Sequence, residues 1–272
     1  MPLGLASYSL HCHLGRHPDS AWASPYDAFW VLEQASQLGL HGVQFSPKHF
    51  ELDFHLLERL GQRARELELY LELGANGIEP RRLTKLLEGA SVAGAQVVRV
   101  TLDVDLSAPL PPQLETALVI LRQVSRSACQ YGVFLAIENH QDLTSEELLR
   151  LLEQVDSPYV GVCLDFGNNL ELGEAPEDTV LQLAPHTVSV HLKDCQLPPG
   201  RDPERAGRLA LGEGDLPLRK LIELLVENSE VDRLLIETPF TPYEGDLERS
   251  LREEQAQLAR SVEYSRKHLR LG

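Results

Sequence analysis

Residues 160–165, Val160-Gly161-Val162-Cys163-Leu164-Asp165, form an apolar run that ends abruptly in a carboxylate. It lacks the polar–apolar alternation of a half-exposed strand, so it fits a parallel strand covered on both faces. The design recurs nearby. Residues 133–138 finish in Ala136-Ile137-Glu138, residues 187–192 carry Val190-His191-Leu192, and residues 233–237 close on Ile236-Glu237. An ionisable group at the end of a greasy run is costly to bury unless it is paired or bound to a cation. These runs therefore speak to function as well as to fold.

Outward from them, residues 3–7, 42–45, 69–73 and 97–102 complete a set of eight strand-like runs. Helical signals fill the gaps. Pro25 after Ser24 predicts a helix closed by Gly39, Ser46-Pro47 leads into one ending near Glu68, and Glu79-Pro80 opens one that finishes at Gly94. Pro111-Pro112 precedes a long segment to Tyr131-Gly132, and Thr144 or Ser145 caps residues 146–154. Asp215 starts residues 216–228, and Asp246 starts a charged final helix to about Arg270, whose Arg and Glu pattern reads as a solvated face.

Strand and helix alternate throughout, which predicts a parallel sheet, and eight such units favour closure into a (β/α)8 TIM barrel. The length of 272 residues suits one such domain over residues 1–272. An open doubly wound sheet is the alternative, but the first run lacks the GxGxxG turn of a dinucleotide fold.

Composition narrows the function. A net charge of −16 opposes binding to phosphate backbones, so no nucleic acid is expected as partner. No apolar run is long enough for a membrane span, and the N-terminus does not read as a secretory signal. Cys12, Cys129, Cys163 and Cys195 are scattered without a CxxC pair, so reduced thiols in a cytoplasmic protein are expected.

A barrel brings its strand ends to one mouth, crowding Glu138, Asp165, His191 and Glu237 together. Three anions and an imidazole need a cation, and one divalent metal supplies it. The oxygen-rich set favours Mn²⁺, with Mg²⁺, Co²⁺ and Zn²⁺ as alternatives, and leaves positions for substrate oxygens.

The motifs IENH (137–140), LDFGN (164–168), HLKD (191–194), GEG (212–214) and IET (236–238) together resemble the sugar isomerase/epimerase superfamily. These are the xylose isomerase-like barrels, which also include ketose 3-epimerases, inosose dehydratase and endonuclease IV. The resemblance implies that Glu138, Asp165, His191 and Glu237 hold the metal and that Glu138 and Glu237 also shuttle protons. It further implies substrate contacts from Lys193 and Arg99, to which Asn168, Tyr8 and Gln44 are added as strand-end neighbours. Three positions depart from the epimerase pattern. Asn168 stands for a histidine, Leu197 for an arginine, and Gln44 for a frequent glutamate.

The implied activity is a metal-dependent isomerase or epimerase on a sugar or related polyhydroxy carbonyl compound, working through an enediolate. A lyase or dehydratase on a keto-sugar or keto-inositol is the alternative. An endonuclease IV-like repair hydrolase fits poorly, because it needs more strand-end histidines, and a non-catalytic barrel is disfavoured by the intact ligand set. Relatives of this kind commonly form homo-oligomers.

Other residues carry plainer readings. His11, His13 and His17 are expected to be solvated or substrate-facing rather than a second metal cluster. Trp22 is a candidate pocket wall and Trp30 a core residue. His140 is a candidate orienter of Glu138, and Glu72 a candidate partner of Arg99. Arg201, Arg205 and Arg208 lie in the irregular stretch 195–214, where they either hold a substrate anion or pair locally with acids such as Asp202 and Glu204.

Overall fold

In the computed structural model, which describes residues 1–16, 22–198, 201–202 and 207–272, eight parallel strands close into a barrel in sequence order. The strands are β1 (Leu3–Ala6), β2 (Gly42–Phe45), β3 (Tyr70–Asn76), β4 (Val97–Thr101), β5 (Phe134–Glu138), β6 (Val160–Asp165), β7 (Thr187–Leu192) and β8 (Leu234–Ile236). The helices that follow them are α1 (Ala28–Gln37), α2 (Phe54–Glu66), α3 (Pro80–Ala93), α4 (Leu110–Tyr131), α5 (Ser145–Val155), α6 (Pro176–Leu183), α7 (Leu218–Asn228) and α8 (Leu247–Tyr264). No described helix is long and apolar enough to cross a membrane.

Each helix turns one apolar stripe to the strands. On α5, Leu148, Leu151, Leu152 and Val155 are buried at helical spacing, and burial of each such side chain contributes about 2 kcal/mol. Thr144 starts this helix with a capping box in which Glu147 answers the threonine. Gly61 lets α2 approach α3, since a Cβ there would stand 2.1 Å from the Ala93 carbonyl oxygen. The main core lies between strands and helices, while Val97, Ala136 and Cys163 pack inside the barrel below its mouth.

Several boundaries differ from the sequence expectation for an identifiable reason. α1 starts at Ala28 and α2 at Phe54, because Asp27 and Asp53 accept the open first-turn N–H groups of Trp30 and Leu56. The prolines at 25 and 47 precede loop. α7 starts at Leu218, because Asp215 is engaged instead with the Leu197 amide and Arg201. α8 gives way to a π-helical turn, Ser265–Leu269, and it is not solvated all round, since Glu254, Gln257 and Ser261 are buried.

Candidate metal centre

Glu138 ends β5, Asp165 ends β6, His191 lies in β7 and Glu237 directly follows β8. All four are buried, and one ligand atom from each lies within 4.8 Å of the others. The Nδ1 of His191 stands 2.9 Å from Glu237 Oε2, 3.5 Å from Glu138 Oε1 and 3.7 Å from Asp165 Oδ2. Neither this nitrogen nor Asp165 Oδ2 makes a hydrogen bond of acceptable geometry. Two buried polar atoms without such a bond, converging with two further carboxylates, form a donor set that a divalent ion satisfies. Spacings of this order between ligand atoms also suit bonds of about 2.0–2.6 Å to a shared ion. The residues fit the metal.

The free atoms are free because their neighbours are occupied. Asp165 Oδ1 accepts the amides of Gly167 and Asn168 at 2.8 and 3.0 Å, which leaves Oδ2 for the centre. The backbone of Asp165 is clasped by the Asn139 side chain, which accepts from its N–H at 2.6 Å and donates to its carbonyl at 2.9 Å. On His191, Nε2 donates to Gln44 Oε1 at 2.8 Å. The Gln44 amide is oriented by its own Nε2, which donates to Glu72 Oε2 at 2.9 Å, and Ser189 donates to that same oxygen at 2.7 Å. The carbonyl end of Gln44 accepts only, so Nε2 carries a proton in either charge state and Nδ1 is left to face the centre, where a bound ion would take the place of its proton.

Electrostatics follow the geometry. Burial opposes the charged forms of both glutamates, yet Arg99 and His191 hold the Glu138 carboxyl down at about 2, and His191 with Lys193 and Arg99 holds Glu237 well below the usual carboxylate range. Burial also opposes the His191 imidazolium, but Cys163 and the carboxylates hold its pKa well above the ordinary value. Arg99 Nε lies 3.3 Å from Glu138 Oε2. Asn168 bridges two residues, donating to Glu138 Oε1 at 3.1 Å and accepting from Lys193 Nζ at 3.0 Å. Lys193 also stands 3.5 Å from Asp165 Oδ2.

Above the ligands lies a cavity of about 430 Å³. Of the predicted substrate contacts, Tyr8, Arg99, Asn168 and Lys193 line it together with Glu138 and Glu237. Gln44 does not. It is 1% exposed and sits beneath His191, so its contact is with the ligand rather than with substrate. Glu72 pairs with Gln44 and Ser189 instead of Arg99, because β3 places it opposite Gln44, whereas Arg99 stands opposite Gly74, two residues nearer the mouth.

The remaining candidates sort clearly. His140 lines the cavity, and it is its neighbour Asn139 that orients a ligand. His13 Nδ1 meets Glu254 Oε2 at 2.6 Å. That carboxylate also accepts the amides of Cys12 and His13, so the nearby His11–Cys12–Glu254 group is already committed to hydrogen bonds. His11 stacks on Tyr8. Trp22 donates to the Cys12 carbonyl and borders a neighbouring cavity, and Trp30 is half-buried, stacked on His13. Arg201 pairs with Asp215 and Arg208 lies over Tyr243, so neither borders the cavity. His17, Glu204 and Arg205 lie outside the described residues.

Sequence reasoning missed Arg16, Lys48, His49 and Asp103, all on the cavity wall. Lys48 and His49 follow β2 as His140 follows β5, and attention to strand ends alone would have found them.

The family described as xylose isomerase-like TIM barrel matches residues 32–268, and this chain belongs to it. The chain is 30% identical to a 3-oxo-isoapionate decarboxylase of Pectobacterium atrosepticum over 196 residues, 71% of this chain and 69% of that one. Among solved structures it resembles a D-psicose 3-epimerase of Clostridium cellulolyticum, with a TM-score of 0.75 at 16% identity over 99% of both chains. It also resembles the probable 3-DHS dehydratase of Bacillus anthracis, with a TM-score of 0.69 at 16% identity over 98% of this chain and 100% of that one. At such identities the two structures bear out the fold.

Proposed function

We propose that this protein is a metal-dependent enzyme that acts on a sugar or related polyhydroxy carbonyl compound through an enediolate, in the manner of an isomerase or epimerase. The observation that carries the reading is the pair of inward-facing, unbonded atoms, His191 Nδ1 and Asp165 Oδ2, flanked by two glutamates on the cavity floor. Glu138, Asp165, His191 and Glu237 would hold a divalent ion, with Mn²⁺ preferred, which would supply positive charge to the oxygens on which the enediolate charge develops. Arg99 and Lys193, both lining the cavity, add fixed positive charge beside those oxygens. Glu237 takes the proton from the carbon next to the carbonyl. The C–H electron pair becomes the new C=C bond, and the carbonyl pair moves onto oxygen. Glu138 relays a proton drawn from solvent to the opposite face, Glu237 releases the one it took to solvent, and the centre is inverted.

A second reading, a lyase, is favoured by the unequal environments of the two glutamates. Glu138 is held by both Arg99 and Asn168, whereas among the described residues Glu237 forms its one close side-chain contact with His191. One mobile proton carrier suffices when the enediolate arises by loss of carbon dioxide and is then protonated, or when it expels hydroxide that leaves as water. The relative from Pectobacterium is a decarboxylase by name.

Metal analysis of the purified protein, followed by a keto-sugar panel in deuterated buffer, tests both. The first reading expects bound Mn²⁺ and solvent deuterium in a substrate that keeps its carbons and oxygens. In the Glu237→Gln variant, turnover should fall by at least about 100-fold with metal still bound, the usual scale for loss of a general acid–base. A protein that takes up no divalent ion, or a Glu237→Gln variant with unaltered turnover, overturns it. Release of carbon dioxide or water without exchange into recovered substrate selects the lyase.

A further inference from the structure

The cavity wall away from the ligand cluster is cationic. Arg16 and Lys48 line it, and neither makes an ion pair among the described residues, in a chain that carries 41 acidic side chains against 25 basic ones. With a divalent ion in place, the charges of Glu138, Asp165 and Glu237 are balanced by that ion and Arg99. Among the described residues, Lys193, Arg16 and Lys48 then face Asp103 as the one remaining acid on the cavity wall. The loaded cavity is thus net positive inside a protein whose net charge is −16. Arg16 and Lys48 are exposed and so are solvated in the empty cavity, but their combined positive field at its wall favours the entry of an anion.

His49, next to Lys48 in the chain, is buried and also lines the cavity. Its Nδ1 is 2.8 Å from Ser7 Oγ, and that same oxygen accepts the Ser46 amide at 2.9 Å. Among the described residues the serine proton has no other acceptor, so it is donated to Nδ1, and the ring's own proton sits on Nε2 as a neutral donor. Burial and then the positive charges of His11, Arg16, Arg99 and Lys48 press the imidazole pKa down to about 3, which registers the local field and keeps the ring neutral. Among the described residues no glycine lines the cavity, whereas backbone cradles for phosphate are commonly built on glycine.

We propose that Arg16, Lys48 and the Nε2–H of His49 form a carboxylate subsite, so that the substrate is a keto sugar acid rather than a neutral sugar. The proposal rests on the metal-centre reading above, and it adds the substrate's charge and the place where that charge is held.

Calorimetric titration of the Mn²⁺-loaded full chain with D-gluconate, D-glucitol and D-glucose 6-phosphate tests it. Gluconate should bind at least about tenfold more tightly than glucitol, the scale of hydrogen bonds to a charged group, and more tightly than the phosphate ester. The double variant Arg16→Gln/Lys48→Gln should lose that preference while retaining its Mn²⁺ affinity. Gluconate that merely chelated the ion would keep its advantage in the double variant, and that result overturns the subsite. Equal binding of gluconate and glucitol, or tighter binding of the phosphate ester, overturns it as well. Mn²⁺ uptake is recorded separately by electron paramagnetic resonance. A chain that takes up the ion but shows no gluconate preference defeats the subsite alone, and a chain that takes up none defeats the reading beneath it.

Discussion

Gln44 has no view of the cavity, yet it decides what His191 offers to a metal. Its carbonyl takes the Nε2 proton, and its amide is held in turn by Glu72, whose carboxyl is pushed up by burial. Gln44→Leu keeps the approximate volume and removes the acceptor. Mn²⁺ affinity should fall about 10–100-fold, the usual effect of deleting an outer hydrogen-bond partner of a metal ligand, while the circular dichroism spectrum is retained. Gln44→Glu restores an acceptor and should recover much of the loss. An unchanged dissociation constant in Gln44→Leu would show that the hydrogen bond does not tune the ligand. The four metal-binding candidates were legible because each breaks an apolar run at its end. Gln44 was legible only as a polar strand residue, since its partners His191 and Glu72 lie 147 and 28 residues away and barrel register alone brings them together.

Among the elements, loops are tied down by single carboxylates. Asp194, directly after β7, accepts the amides of Gly212 and Gly214 on one oxygen and those of Cys195 and Leu216 on the other. Gly214 tolerates no Cβ, which would stand 2.1 Å from Asp194 Oδ1. The HLKD and GEG motifs are therefore two halves of one stitch, and spacing in the chain gave no sign of it. Glu254 performs the same task from α8, holding the loop after β1 through Cys12 and His13. Glu254→Ala leaves two buried amides and an imidazole without their acceptor and should cost about 3–5 kcal/mol in urea unfolding. Glu254→Gln, which keeps an oxygen, should cost less. A loss below about 1 kcal/mol in the alanine variant would mean that the loop is held by other contacts. The charged sequence of α8 hid this inward residue, just as the prolines at 25 and 47 masked the true caps at Asp27 and Asp53.

At the scale of the whole molecule, the barrel concentrates mutually repelling carboxylates on its floor, and an ion that binds only the folded chain stabilises it by mass action. With free Mn²⁺ at a thousand times its dissociation constant the gain is about 4 kcal/mol, or several degrees in melting temperature at about 2–4 °C per kcal/mol. Melting curves recorded with EDTA and with added Mn²⁺ should differ by that amount in the wild type. In Asp165→Asn the difference should shrink sharply, and a shift of equal size there would place the ion elsewhere. The strand count and closed order were readable from the alternation of runs, whereas Arg16, Lys48, His49 and Asp103 on the cavity wall were not, because they come from loops that carry no periodic signal.

Ring closure has a further consequence for how the chain misbehaves. Every strand has two hydrogen-bonded neighbours, so the native molecule presents no bare margin onto which a foreign strand can be templated. Its shortest stave is β8, three residues long, and its hydrogen bonds to β1 join the last strand in the chain to the first, more than 200 residues apart. Should the hoop ever spring, the flanks of that short stave, paired at two positions with β7 and at three with β1, are the natural place for it to part, and intermolecular pairing would begin there.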